Sequence, residues 1–116
     1  ERASAFAAKH RVRPFTDLAA MLRDAAPEAI IIGTPHPLHA EAAVRAAEAG
    51  VHVLVEKPLA ATLADADAML DAARKSGVTL GVISQRRFYE PVQRMRRAIV
   101  EGKIGAPALG VFIQYS

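Results

Sequence analysis

Short β-branched runs alternate along this chain with longer, alanine-rich stretches whose apolar residues recur at helical spacing. Arg2–His10 reads as a helix, and residues 11–15 as a short extended piece stopped by Pro14. Thr16 is a suitable N-cap for a helix over residues 17–24 that turns Leu18, Met21 and Leu22 inward, and Pro27 marks its exit. Ala29–Ile32 is a continuous apolar run of strand length, the pattern of a central parallel strand covered on both faces. The next helix starts at His36 or Pro37 and runs to Ala49. Its inner face is Leu38, Ala42, Ala46 and Ala49, with Glu41, Arg45 and Glu48 opposite and Gly50 as the stop. Residues 51–55 are the second strand. Thr62 then caps a helix over Leu63–Ser76 that directs Leu63, Ala66, Met69, Leu70 and Ala73 inward and is closed by Gly77. Residues 78–83 form the third strand. Pro91 opens a helix reaching Glu101 with Val92, Met95 and Ile99 inward and Gly102 as its stop, and residues 106–115 read as one more strand.

Strand and helix in regular alternation predict an α/β fold built on a parallel, doubly wound sheet. Composition supports that layer structure: 25 of the 116 residues are alanine and only 5% are aromatic, so helices can lie close to a sheet. A length of 116 residues suits one domain with a core of its own. With no cysteine, disulfide scaffolding and thiol chemistry are excluded. No apolar run approaches the ~18 residues of a membrane span, and the first residues lack a signal stretch, so the expectation is a cytoplasmic chain without a membrane partner. The net charge of +3 is too small to argue a nucleic-acid partner. The basic residues Arg86, Arg87, Arg94, Arg96, Arg97 and Lys103 read as a solvated helix face. The chain starts within a helix pattern and stops within a strand pattern, as a piece of a larger protein would.

Ligands of a doubly wound sheet bind beyond the carboxyl ends of its strands, so the three strand exits are where chemistry is expected. The first is Gly33-Thr34-Pro35-His36-Pro37-Leu38-His39, where a glycine permits close backbone approach, a hydroxyl can hydrogen-bond, and a helix start favours a polar group. Thr34-Pro35 taken alone also fits an ordinary strand-to-helix turn. The second exit is Glu56-Lys57-Pro58 and the third is Ser84-Gln85-Arg86-Arg87-Phe88. Lys57 and Glu56 also fit surface residues at a strand end. His36 and His39 have metal-ligand spacing, but no third ligand follows at a recognisable distance, and no metal is assigned. His52 reads as a strand residue satisfied by a neighbour.

Thr34-Pro35 with His39 four residues on, then Glu56-Lys57-Pro58, then Gln85-Arg86-Arg87-Phe88, resemble the Gfo/Idh/MocA family of nicotinamide-dependent sugar dehydrogenases. The resemblance implies a Rossmann-like fold, NAD or NADP as cofactor, and a sugar, sugar derivative or polyol as substrate. It places Thr34, Pro35, His36, His39, Glu56, Lys57, Gln85 and Arg86 at the cofactor. It makes Lys57 the catalytic residue, beside both the nicotinamide and the substrate hydroxyl, for hydride transfer from a secondary alcohol carbon. A non-catalytic ligand-sensing regulator of the same fold, or an inactive fragment, is the alternative.

The seven glycines hold no Gly-x-Gly-x-x-Gly spacing, so the first two strands of the fold and their phosphate-binding turn are expected to lie outside this sequence. The resemblance then divides the chain into a partial dinucleotide-binding domain, residues 1–105, and the first strand of a C-terminal substrate and oligomerisation domain of α+β sheet type, residues 106–116. It further implies a homodimer or homotetramer formed through that second domain.

Overall fold

A computed structural model describes residues 2–111 of the chain, excluding the side chain of Arg2. Two compact units divide it, Glu1–Ile83 and Ser84–Ser116. The first contains α1 (Arg2–His10), α2 (Leu18–Ala25), β1 (Ala29–Ile32), α3 (His39–Glu48), β2 (His52–Val55), α4 (Leu63–Ser76) and β3 (Leu80–Val82). The second contains α5 (Glu90–Val100).

The three strands form one parallel sheet in the order β1-β2-β3, with Ile32 opposite Val55 and Val55 opposite Val82. Parallel neighbours need a crossover, and α3 and α4 supply the two that join them. The core is where alanine-rich α3 meets the sheet: Ile32, Ala43, Ala46, Val51, Val53, Val55 and Met69 are buried together. Small side chains on α3 let its backbone approach the strands, as the composition predicts.

Local signals explain the element ends. Thr62 accepts from the Asp65 N–H at 3.1 Å and donates its own hydroxyl proton to the Asp65 carboxylate at 2.8 Å, fastening the first turn of α4. Both crossover helices end in the same way. Gly50 (φ 76°) and Gly77 (φ 67°) take the left-handed conformation that glycine adopts without strain. The next residues then donate back into the helix, Val51 to Ala46 O at 3.0 Å and Val78 to Ala73 O at 3.1 Å, and the chain is aimed at the following strand. His52 Nδ1 accepts from the Thr79 N–H at 2.9 Å, so that histidine is satisfied across the strands.

Several expectations are corrected. The N-cap of α2 is Asp17 rather than Thr16; its carboxylate accepts from the Ala20 N–H at 2.7 Å, a charge-assisted bond that a hydroxyl does not match. The buried face of α3 is His39, Ala43, Ala46 and Ala47, while Leu38 and Ala49 are exposed, because the helix lies against β1, β2 and α4 together rather than against one surface. On α4 the buried residues are Met69, Ala72 and Ala73, and Leu63 is 86% exposed at the helix start.

The strand β1 is not covered on both faces: Ile31 is 72% exposed, and among the described residues no strand pairs with its outer edge. An apolar groove lined by Phe15, Leu18, Met21 and Ile31 runs beside it. Residues 11–15 form no strand, having no strand neighbour among the described residues.

In the second unit, α5 buries none of its side chains. Met95 and Ile99, expected inward, are 39% and 40% exposed because within the unit only one short turn packs on the helix. Residues 106–111 form no strand, and residues 112–116 of the expected last strand lie outside the described residues.

Candidate functional site

Parallel strands leave the sheet at the same end, so the exits of β1 and β2 are neighbours. The ladder continues one step past the strands, where the Glu56 N–H donates to Ile32 O at 2.9 Å. Beyond that bond the two chains diverge. Gly33 has open space where a side chain would begin, with no atom within 4 Å of the position a Cβ would take. Thr34, Pro35 and His36 follow, all exposed, and the Leu38 N–H donates to Pro35 O at 2.9 Å to close a 3-10 turn over His36–Leu38 ahead of α3.

The facing loop carries Glu56, half-buried, and Lys57, exposed. The Glu56 carboxylate accepts from the Lys57 backbone N–H at 3.0 Å, which holds the Lys57 backbone while leaving its side chain outside. Among the described residues the Lys57 ammonium has no hydrogen-bond or ion-pair partner. The Lys57–Pro58 peptide is cis, and Leu59 and Ala60 return to pack on the core. Lys57 thus extends from a loop anchored on both sides.

His39 lies beneath these loops at 1% exposure. Its Nδ1 stands 2.9 Å from Pro58 O and its Nε2 2.8 Å from Thr34 O. Expected at the cofactor, the ring is instead buried, with a backbone carbonyl oxygen facing each nitrogen. Sequence reasoning missed the two carbonyl partners. A signal for the burial existed, since His39 falls at helical spacing with Ala43, Ala46 and Ala47.

Gln85 and Arg86 belong to the second unit, exposed on a 3-10 turn spanning Gln85–Phe88. The Gln93 side-chain amide donates to Arg87 O in that turn. Among the described residues no group of three histidine, aspartate or glutamate side chains is placed to hold a metal. No helix there is long and apolar enough to cross a membrane.

An open glycine, an exposed hydroxyl and an exposed ammonium on adjoining strand exits suit a flat polar ligand. A family model described as an oxidoreductase family with an NAD-binding Rossmann fold, Gfo/Idh/MocA, matches residues 1–84. The chain belongs to the Gfo/Idh/MocA oxidoreductase family.

Among the relatives of this Gfo/Idh/MocA chain, a 1,5-anhydro-D-fructose reductase of Ensifer adhaerens is 41% identical over 108 residues, 92% of this chain and 32% of the relative. A scyllo-inositol 2-dehydrogenase (NADP(+)) of Bacillus subtilis (strain 168) is 42% identical over 98 residues, 84% of this chain and 30% of the relative. A solved structure, the WlbA dehydrogenase from Bordetella pertussis in complex with NADH and UDP-GlcNAcA, superposes with a TM-score of 0.86 at 36% identity, covering 89% of this chain and 30% of that one. The chain spans about a third of the length of the curated relatives it matches. The fold is therefore Rossmann-like and the family's cofactor is NAD. The open backbone at Gly33 and the exposed side chain of Lys57 leave room for a cofactor ring at these strand exits. A Gly-x-Gly-x-x-Gly turn for the pyrophosphate is not among the seven glycines of this sequence.

Proposed function

We propose that the protein carrying this chain is an NAD(P)-dependent oxidoreductase that moves a hydride between a secondary alcohol carbon of a sugar, sugar derivative or polyol and the nicotinamide. The observation that carries this reading is the position of Lys57 in a chain of this family: exposed at the exit of β2, on a loop whose backbone is held by the Glu56 carboxylate on one side and packed against the His39 ring on the other.

When bound, the cofactor supplies the hydride acceptor. Lys57 Nζ hydrogen-bonds the substrate hydroxyl oxygen and steadies the negative charge that develops there, while the hydroxyl proton passes to a base of the complete protein or to solvent. Glu56 holds the Lys57 backbone through its carboxylate and borders the cofactor. Gly33 lets the cofactor approach the backbone, and Thr34, Pro35 and His36 line its path. Gln85 and Arg86 form a further cofactor-contacting turn in this reading. Residues 1–105 belong to the dinucleotide-binding domain and residues 106–116 open the substrate domain, through which the protein assembles as a homodimer or homotetramer.

The test uses the complete protein with NAD⁺ and NADP⁺ against a panel of polyols, aldoses, anhydrosugars and nucleotide sugars, following formation of reduced cofactor by absorbance. Turnover with at least one secondary alcohol is the expected result. Cofactor binding without turnover of any of them would favour the ligand-sensing regulator, and absence of cofactor binding would overturn the reading altogether.

A further inference from the structure

Three side chains are the largest fully buried ones, Met69, His39 and Val55, and His39 is the polar member. The rest of its helix face is alanine, so an apolar residue would satisfy packing there. Burying a polar ring costs free energy unless its nitrogens are bonded. Here each lies within hydrogen-bond distance of a carbonyl oxygen, and neither partner is in the core: the ring reaches Pro58 O at 2.9 Å on one strand-exit loop and Thr34 O at 2.8 Å on the other. No backbone N–H among the described residues donates to either carbonyl. The sheet ladder ends at the Glu56 N–H bond to Ile32 O, and past it the His39 ring is what joins the two loops. A neutral imidazole donates to one of the two carbonyls and turns a lone pair toward the other, so it is the doubly protonated ring that spans the gap with two hydrogen bonds.

We propose that His39 is a positioning residue, whose ring bridges the Thr34 and Pro58 carbonyls and thereby sets Lys57 against the Gly33–Thr34 turn. This deepens, and rests on, the reading of Lys57 as the residue at the substrate hydroxyl. Lys57 directly precedes Pro58, so a displacement of the Pro58 carbonyl carries the lysine with it. The inference also accounts for a histidine on a face where the other buried positions are alanine.

The experiment compares the complete wild-type protein with His39→Leu, which fills space without a donor, and His39→Gln, which keeps an amide donor. Two readouts need no cofactor. The wild-type His39 ring is expected to give a slowly exchanging N–H signal by NMR, and the backbone amides of Gly33 and Lys57 are expected to shift together in His39→Leu. The kinetic readout is a split: kcat falls about 10- to 100-fold in His39→Leu, as misplacement of a reacting group produces. The Kd values for NADH and NADPH, from cofactor fluorescence, stay within about threefold, and His39→Gln regains most of the loss.

A His39 ring that exchanges as fast as an exposed imidazole overturns the proposal, as does wild-type turnover in His39→Leu. A Kd that rises in step with the fall in kcat also overturns it, because the ring would then be a cofactor contact. If His39→Leu does not fold, His39→Gln and the wild-type NMR signals decide. Should the protein bind no nicotinamide cofactor, the dehydrogenase reading fails on its own, and the ring exchange and paired amide shifts still test the bridge.

Discussion

Replacement of Lys57 by methionine keeps the aliphatic stem and removes only the charged end. The structure gives that end no partner to lose: the side chain is exposed, and the bond that fixes this residue is made by its backbone N–H to the Glu56 carboxylate. The free energy of unfolding should therefore change by no more than about 0.5 kcal/mol. Catalysis should change far more. A positioned proton-transfer or charge-steadying group contributes about 10²- to 10⁴-fold in rate, and the lower bound corresponds to about 2.7 kcal/mol of barrier. Three measurements on the complete protein check this together: kcat at saturating cofactor and substrate, Kd for NADH and NADPH by fluorescence titration, and the thermal midpoint. We expect kcat to fall at least about a hundredfold, Kd to stay within a few-fold, and Tm to move by less than about 2 °C. Unchanged turnover would refute the assignment of Lys57. A Tm that collapses alongside activity would refute the structural half of the argument, because it would mean that the ammonium supports the fold.

Other substitutions test the packing that holds the site. Ala46 is fully buried where α3 meets the sheet, so Ala46→Leu should overpack the core and cost about 1–3 kcal/mol in a denaturant titration; no change would mean that the interface holds unused volume. Thr62→Ala removes the N-cap of α4 and should cost about 1 kcal/mol, measured the same way, with Thr62→Ser losing little. Ala26 ends α2 in the left-handed conformation (φ 44°, ψ 54°), which strains an L-residue with a Cβ. Ala26→Gly should accordingly raise stability by about 0.5–1 kcal/mol, and a lower midpoint would show that the strain is not there.

What the sequence alone determined was local. The isoleucine run of β1, the Thr62 cap, and the glycines after α3 and α4 each act through the backbone of a few adjacent residues, and the corresponding elements stand within a residue or two of where the pattern puts them. The order of these elements was enough for the α/β class, and the motifs at the strand exits for the family. Which side of a helix is buried was less legible. On α3 nearly every apolar position is alanine, so the hydrophobic contrast between faces is weak, and contact with β1, β2 and α4 chose His39, Ala43, Ala46 and Ala47. Likewise an apolar run reads the same at the centre of a sheet as at its edge, and only strand pairing revealed the uncovered Ile31. The role of His39 depended most on tertiary structure. Its partners are backbone carbonyls 5 and 19 residues away, and a carbonyl belongs to every residue, so no side-chain pattern marks Thr34 and Pro58 as acceptors. Only the folding of two parallel strands over the first turn of α3 brings those oxygens to one ring.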